Sequence, residues 1–568
     1  MVFGAKKALQ QVPSRSRISL MKIQNFTVQK RQSVVTLVYG TLMIVLGLVS
    51  VLIDPIALFT NWFTEVREGN FIYNMWSNPT YKIYSDVYIF NYTNIDQYLR
   101  GEEKLKLTEL GPYKFQELRT NENITIDKER GVMTMKPKIK LKFLSEESVG
   151  QYNDSVVVPN IALIAISTLL ADQGLGFIPN TAAYYTMTAL GSKLFKPMSA
   201  GDFLWGYDDP LVKVASKLVP GWIDFGKIGI MDRFYAQRND EVEVELKNIS
   251  RRYSINTWNN QPGLREQGFS SINTSIPCNR LQGTYEGLMI PPGYNSTVLP
   301  VFRKQACRVF PFVYKEEVLG SMGIPLTRYK MDDSAFNKTN PYDCKCKTNC
   351  LPDGFVDIGS CYYGFPIALS KPHFLDTDPE QQKRFEGMKP DPLLHSSHVD
   401  LETKIGVPIA LSTKLQVNIA VRMATGNPIT RPLKDMVVPL MWLTLYCDEP
   451  PPEVVALLRM RFLYAPPLVL TLEILLIVIG SALVIHGVYR LWYPKYQLIQ
   501  AQDTKKVEKR INHSVLERRK SSLTLNMADT FSDDEMAKEA VSLLAIKEED
   551  LPDLLMGETI DYDDRFSE

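Results

Sequence analysis

Histidine is scarce in this chain: five of 568 residues, with only His373, His395 and His398 between its two long apolar runs. The serine elbow G-x-S-x-G, the phosphate loop G-x-x-x-x-G-K-[ST], the zinc pair H-E-x-x-H and the dinucleotide motif G-x-G-x-x-G are all missing from the sequence. His395 and His398 could share a metal on a helix, but "DPLLHSSHVDL" is more typical of a polar surface loop, and His373 in "KPHF" of a structural hydrogen-bonding residue. We therefore predict no enzyme, catalytic residue, metal ligand or cofactor.

A strong net charge is missing as well. The formal net charge of +1 gives no indication of nucleic-acid binding. Charge is unevenly distributed, however, because residues 1–32 contain no acid and residues 33–53 contain no charge at all. As a helix, this apolar run would be about 30 Å long, the thickness of the hydrocarbon core of a bilayer. A second run, residues 467–489, is interrupted only by Glu473 and His486.

These runs predict a two-pass membrane protein with both termini in the cytosol. The first run is longer than the apolar core of a signal peptide and follows a long polar segment, so we expect a retained anchor. Basic residues flank each run on the side of the chain terminus, and they mark the cytosolic side. The predicted segments are a basic cytosolic tail (1–32), a span (33–53), an ectodomain (54–466), a second span (467–489) and a cytosolic, largely disordered tail (490–568).

Cysteine is confined to the predicted ectodomain, which holds all seven cysteines. The cluster "DCKCKTNC" at residues 343–350 could by spacing be a zinc site, a redox-active dithiol or a disulfide knot. An oxidising, glycosylating compartment favours disulfides. Seven N-x-S/T sequons share this segment and predict glycosylation. They are Asn91, Asn123, Asn153, Asn248, Asn273, Asn295 and Asn337.

The ectodomain pattern predicts a mixed fold of the α+β class. Alternation with period two predicts antiparallel strands with one wet face at residues 136–144, 241–246 and 414–421. Two unusually apolar segments, 158–171 and 182–195, are predicted to be helices. Either they form a subdomain that buries itself, or they expose an apolar surface that captures lipid or a partner.

Several ectodomain motifs follow one another in a defined order. In chain order they are "YIFNYTN" (88–94), "ELGPYKF" (109–115), "LWGYDDPL" (204–211), "CNRLQGTYEGLMIPP" (278–292), "ACRVFPFVY" (306–314), "GIPLTRY" (323–329), "SCYYGFPIALSKPHFLDTDP" (360–379) and "HSSHVDLETKIGVPI" (395–409). This collinear set between two terminal spans resembles the class B scavenger receptor family, of the fatty-acid translocase and lysosomal integral membrane protein type.

The resemblance implies a large antiparallel, β-barrel-like ectodomain with an apical helical bundle and an internal apolar tunnel towards the membrane. It also implies three disulfides and leaves Cys447 outside them. The implied pairs are Cys278–Cys344, Cys307–Cys361 and Cys346–Cys350.

Members of that family capture lipids, lipoproteins or protein ligands at the apex, where the two apolar helices would lie. The ligand-binding residues predicted on this basis are Ile161, Leu163, Ile164, Leu169, Tyr184, Tyr185, Met187 and Lys193. Fatty-acid translocase carries a lysine pair shortly before its LWGY-type motif. Here Ala189 and Gly191 occupy those positions, and Lys193 and Lys196 are offset. A lysine-based fatty-acid site is therefore not expected, and sterols, carotenoids or a protein ligand are favoured.

The two spans contain residues that predict helix packing. Gly40 and Gly47 lie seven residues apart, as do Gly480 and Gly487, so each pair shares one helix face. Glu473 either faces protein or water and has a function, or lies near the outer interface or is protonated.

The C-terminal tail carries three predicted sorting motifs that clathrin adaptors read. Two fit the acidic dileucine pattern and one fits a tyrosine-based signal. They consist of Glu539, Leu543 and Leu544, then Asp550, Leu554 and Leu555, and finally Tyr496 and Ile499. We expect the protein at the plasma membrane and in endosomal and lysosomal membranes.

The sequence thus favours a non-enzymatic endocytic receptor that binds lipid, lipoprotein, or other polyanionic or protein ligands and transfers lipid through its ectodomain. The alternatives are an endolysosomal resident protein that exports lipid or carries protein cargo, and a sensory or immune co-receptor. The expected partners are lipids or lipoproteins, the membrane, protein cargo, clathrin adaptors and a second copy of the chain. Nucleic acid is not expected as a partner.

Overall fold

The computed structural model describes residues 15–218, 225–236, 239–264, 279–320, 323–337, 350–447 and 449–525, with the backbone alone at 15–29, 494–502 and 519–525. The chain divides into two compact units. One is Gly47–Ile474, and the other combines the terminal segments Met1–Leu46 and Leu475–Glu568.

The α-helices differ widely in length, and the two longest lie at the ends of the described chain. In order they are α1 (Arg15–Ile53), α2 (Pro55–Phe63), α3 (Phe71–Ser77), α4 (Ile95–Leu99), α5 (Ile161–Asp172), α6 (Phe177–Ala189), α7 (Ala200–Trp205), α8 (Pro210–Leu218), α9 (Ile230–Phe234), α10 (Pro379–Gln382), α11 (Pro392–His395), α12 (Pro452–Arg459) and α13 (Ala465–Leu525).

The strands found among the described residues all lie in the larger unit. They are β1 (Ile83–Tyr92), β2 (Leu105–Asp127), β3 (Val132–Phe143), β4 (Ser155–Pro159), β5 (Phe195–Ser199), β6 (Tyr207–Asp208), β7 (Lys227–Ile228), β8 (Val242–Glu245), β9 (Ile255–Trp258), β10 (Val298–Arg303), β11 (Arg308–Leu319), β12 (Pro325–Met331), β13 (Val356–Asp357), β14 (Ile367–Ser370), β15 (Phe385–Glu386), β16 (His398–Glu402), β17 (Val407–Ala420) and β18 (Val437–Cys447).

One large sheet organises this unit. Within the described residues it contains fourteen strands, and its main path runs β10-β11-β12-β16-β17-β18-β1-β2-β3-β8-β9. Neighbours on this path pair antiparallel; for example, Tyr88 of β1 lies opposite Trp442 of β18. The first and last strands of the path bridge to the same short segment, because Thr284 pairs with Ile255 and Tyr285 pairs with Val301. The sheet is therefore the large antiparallel structure expected for the ectodomain.

Two helices in the described part of the chain are long and apolar enough to cross a membrane. They lie within Lys30–Ile53 and Pro452–Tyr493, and their mean hydropathy is 2.4 and 2.8. These segments contain the predicted spans, residues 33–53 and 467–489. Most of their side chains are exposed, which suits helices that contact lipid. The fold thus fits a two-pass membrane protein.

Glycines bring α1 and α13 into close contact within the terminal unit. A Cβ atom on Gly40 would lie 2.7 Å from the carbonyl oxygen of Gly480, and one on Gly480 would lie 2.8 Å from that of Gly40. A Cβ atom on Gly487 would lie 2.7 Å from Cγ of Leu37. Such an approach requires residues without a side chain. The predicted packing role is thereby confirmed for Gly40, Gly480 and Gly487.

In the larger unit, the end of α1 and the beginning of α13 are joined by a polar contact. Oγ of Ser50 donates a hydrogen bond to Oε1 of Glu473 at 2.7 Å. The carboxyl group of Glu473 therefore faces protein, which satisfies a polar group that would be costly in hydrocarbon.

The predicted strands are present, but one has no wet face. Residues 414–421 fall largely in β17, where Gln416 and Asn418 are completely buried. Nε2 of Gln416 donates to Oδ1 of Asn418 at 2.7 Å, and Nδ2 of Asn418 donates to Oγ of Ser370 at 3.0 Å. The alternating sequence pattern could not distinguish a strand face exposed to solvent from one covered by hydrogen-bonding protein groups, because polar side chains are found on both.

Both apolar helices exist, with shifted boundaries. The predicted helix 158–171 begins instead at Ile161, because the valine-rich β4 precedes it and Oδ1 of Asn160 caps the first turn by accepting from the Leu163 N–H. The predicted helix 182–195 is α6, which ends before Gly191. At Gly191, φ is +66°, a left-handed conformation that terminates helices.

Candidate functional site

The interior of the large unit contains a predominantly apolar cavity, which we call the first cavity. Its volume is about 50 Å³. Three charged side chains interrupt its wall: Arg119 of β2, Glu286, and Arg303 at the end of β10. The other side chains that line it include Tyr81, Ile83, Tyr285, Leu288, Ile290, Leu299, Val301, Val399, Leu401, Ile409, Leu411 and Cys447.

A second cavity, of about 60 Å³, shares Arg119 and Arg303 with the first. Its remaining wall combines polar and apolar side chains. These are Glu117, Phe234, Tyr235, Gln305, Ala306, Leu369, Thr413, Leu415, Val417, Leu443 and Leu445. The two arginines therefore lie where the first cavity meets the second.

A third cavity, of about 30 Å³, lies beside the beginning of α5 and shares Phe234 and Val417 with the second. Apart from Arg233, the side chains that line it are apolar or aromatic. Its wall includes Ile161, Ile228, Ile230, Tyr362, Tyr363, Phe365, Ile367, Ile419 and Leu440. The three cavities thus form a series in which each neighbouring pair shares two residues.

A chain of charged and hydroxyl groups crosses the region where the first two cavities meet. Arg119 donates from Nε and Nη2 to Oε2 of Glu117, at 2.9 and 2.7 Å. The Tyr235 hydroxyl donates to Oε1 of the same carboxylate at 2.8 Å. Burial alone would lower the pKa of Arg119, but the carboxylates of Glu117 and Glu286 raise it. Arg119 is therefore a charged group paired with the buried carboxylate of Glu117.

Arg303 and Glu286 differ from this paired chain. In the described part of the molecule, neither side chain makes a hydrogen bond or an ion pair within 4 Å with another residue. Burial, reinforced by the positive charge of Arg119, lowers the pKa of Arg303 to about 10. Burial also raises the pKa of Glu286, partly opposed by Arg119, Lys304 and Arg303. The Arg303 side chain is half-buried and lines both the first and the second cavity.

A second polar cluster surrounds Glu109. Its Oε2 accepts from Nε2 of His373 at 2.7 Å and from Nε1 of Trp442 at 2.6 Å. The structural role predicted for His373 fits this contact. The prediction of a polar surface loop at His395 was wrong: its ring is buried and stacks on His373, with 4.6 Å between centroids. His398 is half-buried in β16. The described residues contain no group of three or more His, Cys, Asp and Glu side chains that could hold a metal.

Most of the predicted ligand-binding residues are not on the surface. Ile161, Leu163, Ile164 and Met187 are buried, so α5 is mainly a core helix and cannot itself present a capture surface. Leu169 and Tyr184 are half-buried, and only Tyr185 and Lys193 are exposed. Because nearly all residues of α5 are apolar, the hydrophobic pattern does not distinguish a buried face from an exposed one. The sequence therefore could not show that this helix belongs to the core.

Exposed apolar side chains cluster instead where α5 leads into α6, a group missed in the sequence. We call Leu175, Phe177, Ile178 and Tyr185 the apolar tip. The last three have exposed fractions of 63%, 81% and 66%. Lys196, one of the two offset lysines, forms an ion pair: its ammonium lies 3.6 Å from Oδ2 of Asp209 and 4.5 Å from the centre of the Tyr207 ring.

The described chain contains one of the three implied disulfides, between Cys307 and Cys361. Cys350 is disulfide-bonded as well. Its implied partner Cys346, and the implied pair Cys278–Cys344, include residues outside the described ranges. Cys447 is a buried thiol whose sulfur lies 3.5 Å from the carbonyl oxygen of Glu449.

The predicted glycosylation sites differ in exposure. Asn123, Asn153, Asn248 and Asn295 are exposed, whereas Asn91 and Asn337 are half-buried. Oδ1 of Asn91 also accepts a hydrogen bond from the Val157 N–H at 2.8 Å. Asn273 lies outside the described residues.

The predicted sorting motifs fall at the edge of the described chain or beyond it. Tyr496 and Ile499 lie in α13, where only the backbone is described, and both dileucine motifs lie outside the described ranges.

Comparison with known proteins agrees with the resemblance seen in the motifs. The model of the CD36 family matches residues 38–491. Scavenger receptor class B member 1 from Bos taurus is 30% identical over 421 residues, which cover 71% of this chain and 78% of that protein. Lysosome membrane protein 2 from Mus musculus is 28% identical over 391 residues, which cover 66% of this chain and 77% of that protein. The chain therefore belongs to the CD36 family, the family of class B scavenger receptors.

Proposed function

We propose that this protein is a non-enzymatic endocytic receptor that captures lipid or lipoprotein at the apolar tip and passes lipid through its ectodomain. The observation that carries the proposal is the series of three cavities with shared walls. A lipid needs a continuous apolar route through a folded domain, and adjoining cavities can provide one when side chains between them move.

The direction of the series supports transfer between the tip and the membrane. The third cavity includes Ile161, the first residue of α5, which leads to the tip. The first cavity includes Cys447, the last residue of β18, and Tyr81, which precedes β1. From these two points the chain continues towards the two spans.

The shared bridges at the sheet edges support a closed, barrel-like wall around this route. The Ile255 N–H donates to the carbonyl oxygen of Thr284 at 2.8 Å, and the Tyr285 N–H donates to that of Pro300 at 2.9 Å. One segment thus satisfies backbone groups of β9 and β10, which would otherwise be open edges. An interior enclosed in this way can hold a ligand.

The apolar tip supports ligand capture. Phe177 and Ile178 expose large apolar surfaces side by side, and clusters of this kind usually contact lipid or a partner. We propose neutral lipids, including sterols and carotenoids, among the ligands, because Lys196 is paired with Asp209.

Transfer is tested by obstructing the route. Val417, shared by the second and third cavities, is changed to Trp, and the exposed Val149 is changed to Trp as the matched control. In cells that display equal surface amounts, we expect Val417→Trp to retain binding of labelled lipoprotein and to lose most selective lipid uptake. Uptake equal to that of the control would contradict transfer through these cavities.

Capture is tested separately at the tip. We expect the double change Phe177→Asp and Ile178→Asp to reduce lipoprotein binding at least fivefold, because charges replace the apolar contact. The control is Leu393→Asp, which alters a leucine that is 90% exposed elsewhere in the ectodomain. Unchanged binding by the tip variant would assign capture to another surface. Mass spectrometry of lipids that copurify with the full-length protein then identifies the ligand class.

A second function, residence in lysosomal membranes with export of lipid or carriage of protein cargo, has its own support. One relative is a lysosome membrane protein, and the tail contains two acidic dileucine patterns. The tail variants described in the Discussion separate the two functions by the steady-state location.

A further inference from the structure

The series of cavities is mainly apolar, yet charged side chains line the region where the first two meet. Desolvating an arginine is costly unless its charge is paired and its donors are satisfied. Arg119 meets that requirement through Glu117. Arg303 does not, because no residue in the described chain lies within ion-pair or hydrogen-bond distance of its guanidinium.

The position of Arg303 suits recognition of a ligand headgroup. It is the last residue of β10, and the same strand supplies Leu299 and Val301 to the apolar wall of the first cavity. A guanidinium binds carboxylate or phosphate oxygens through paired donors. A ligand with an oxyanion at one end and an alkyl chain at the other would match both the charge and the apolar wall.

Glu286 is the acidic side chain in the wall of the first cavity. It lines the first cavity together with Arg303, but the two side chains do not form an ion pair. The acidic group thus leaves Arg303 available and would oppose an anion bound nearby. A purely hydrocarbon ligand would gain nothing from Arg303, so the arginine discriminates among the lipids that enter.

We propose that Arg303 binds the oxyanion headgroup of a single-chain amphiphile inside the cavities, with the alkyl chain along the apolar wall of the first cavity. This inference rests on the proposed passage of lipid through the ectodomain. It adds a selective site for anionic ligands to a route that also admits neutral ones. Carboxylate and phosphate share the required chemistry.

The test measures binding of three labelled probes to the full-length protein in detergent: oleate, oleoyl lysophosphatidate and oleyl alcohol. They share one chain and differ in the headgroup. We expect Arg303→Gln to weaken oleate or lysophosphatidate at least tenfold, and oleyl alcohol less than twofold, because a charge-assisted contact is lost. The anion whose binding is weakened by Arg303→Gln shows whether the headgroup is a carboxylate or a phosphate. Arg130→Gln, which removes an exposed arginine that pairs with Glu243, is the matched control.

Glu286→Gln provides a test that does not depend on the stability of the Arg303 variant. Removing the opposing carboxylate should strengthen binding of the responding anion several-fold and leave oleyl alcohol unchanged. The inference is overturned if Arg303→Gln folds and binds both anions as the wild type does, or if Glu286→Gln shows no gain.

The results also separate this inference from the proposed function. If the wild type binds all three probes equally and neither variant changes binding, lipid enters the cavities but Arg303 does not select it. If the wild type binds none of them, both the headgroup site and the lipid route are wrong.

Discussion

His373 donates a hydrogen bond to Oε2 of Glu109 at 2.7 Å while its ring stacks on that of His395, with 4.6 Å between ring centroids. Nδ1 of His373 accepts from the Lys389 N–H at 3.2 Å, so the proton directed at Glu109 is on Nε2. Nδ1 of His395 accepts from the Asp391 N–H at 3.0 Å. This arrangement joins segments distant in sequence and favours a neutral His395.

Acid should destabilise the protein through His395. Burial, and next the nearby His373, lower its pKa from 6.5 to about 4. The folded state therefore binds fewer protons than the unfolded state in this window, and the stabilisation present above pH 6.5 is lost as the pH falls towards 4. We expect the free energy of unfolding to be about 2 kcal/mol lower at pH 5 than at pH 7 from this group.

His395→Asn tests that expectation, because its side-chain oxygen can still accept from Asp391. Thermal unfolding of the purified protein, measured from pH 4 to pH 8, should show a flatter profile for the variant below pH 6.5. Parallel profiles would assign the acid sensitivity to other groups.

The Cys307–Cys361 disulfide should contribute strongly to stability. It joins residues 54 positions apart, and closing a loop of that length restricts the unfolded chain by about 4 kcal/mol. We expect the double change of both residues to Ala to lower the urea midpoint accordingly. Cys447→Ala, at a buried thiol outside a disulfide, should cost about 1 kcal/mol. Equal decreases in the urea midpoint for the double variant and for Cys447→Ala would argue against the loop-closure effect.

Glycosylation should follow exposure. We expect glycans on Asn123, Asn153, Asn248 and Asn295, and low occupancy at Asn91, whose side chain contacts Val157. Single Asn→Gln variants analysed by mass spectrometry, before and after removal of N-glycans, give the occupancy at each site. A fully occupied Asn91 would show that glycosylation precedes formation of that contact.

The two leucine pairs of the tail should control location. We expect Leu543→Ala with Leu544→Ala, combined with Leu554→Ala and Leu555→Ala, to raise the surface fraction several-fold in biotinylation assays. Tyr496→Ala, near the membrane, should act more weakly. A surface fraction like that of the wild type would exclude the leucine pairs as sorting signals. A wild type confined to lysosomes would favour the resident function.

Packing of the terminal helices should depend on Gly480. Its Cβ position lies 2.8 Å from a backbone oxygen, so Gly480→Val must separate the helices. We expect a lower unfolding midpoint in detergent and less protein at the cell surface. Ala482→Val, at an exposed position in the same helix, is the matched control and should behave like the wild type. Equal midpoints for the two variants would contradict a tight contact at Gly480.

Features that depend on local composition could be predicted from the amino-acid sequence. An uncharged run from Ser33 to Ile53 is apolar enough to cross a membrane whatever its neighbours are. The alternating residues 136–144 predicted most of β3 because the period of a strand is local. The spacing of Gly40, Gly47, Gly480 and Gly487 likewise indicated a packing face.

Features that depend on residues distant in the chain could be seen only in the folded protein. The wet face predicted for β17 is buried because other segments cover Gln416, and the helix α5 is core because the sheet and its neighbours surround it. No local pattern places Arg303 beside Arg119, or His373 against Glu109. These contacts arise only when β2, β10 and the chain after β14 meet, because charges, cavities and stacked rings are properties of assembled surfaces.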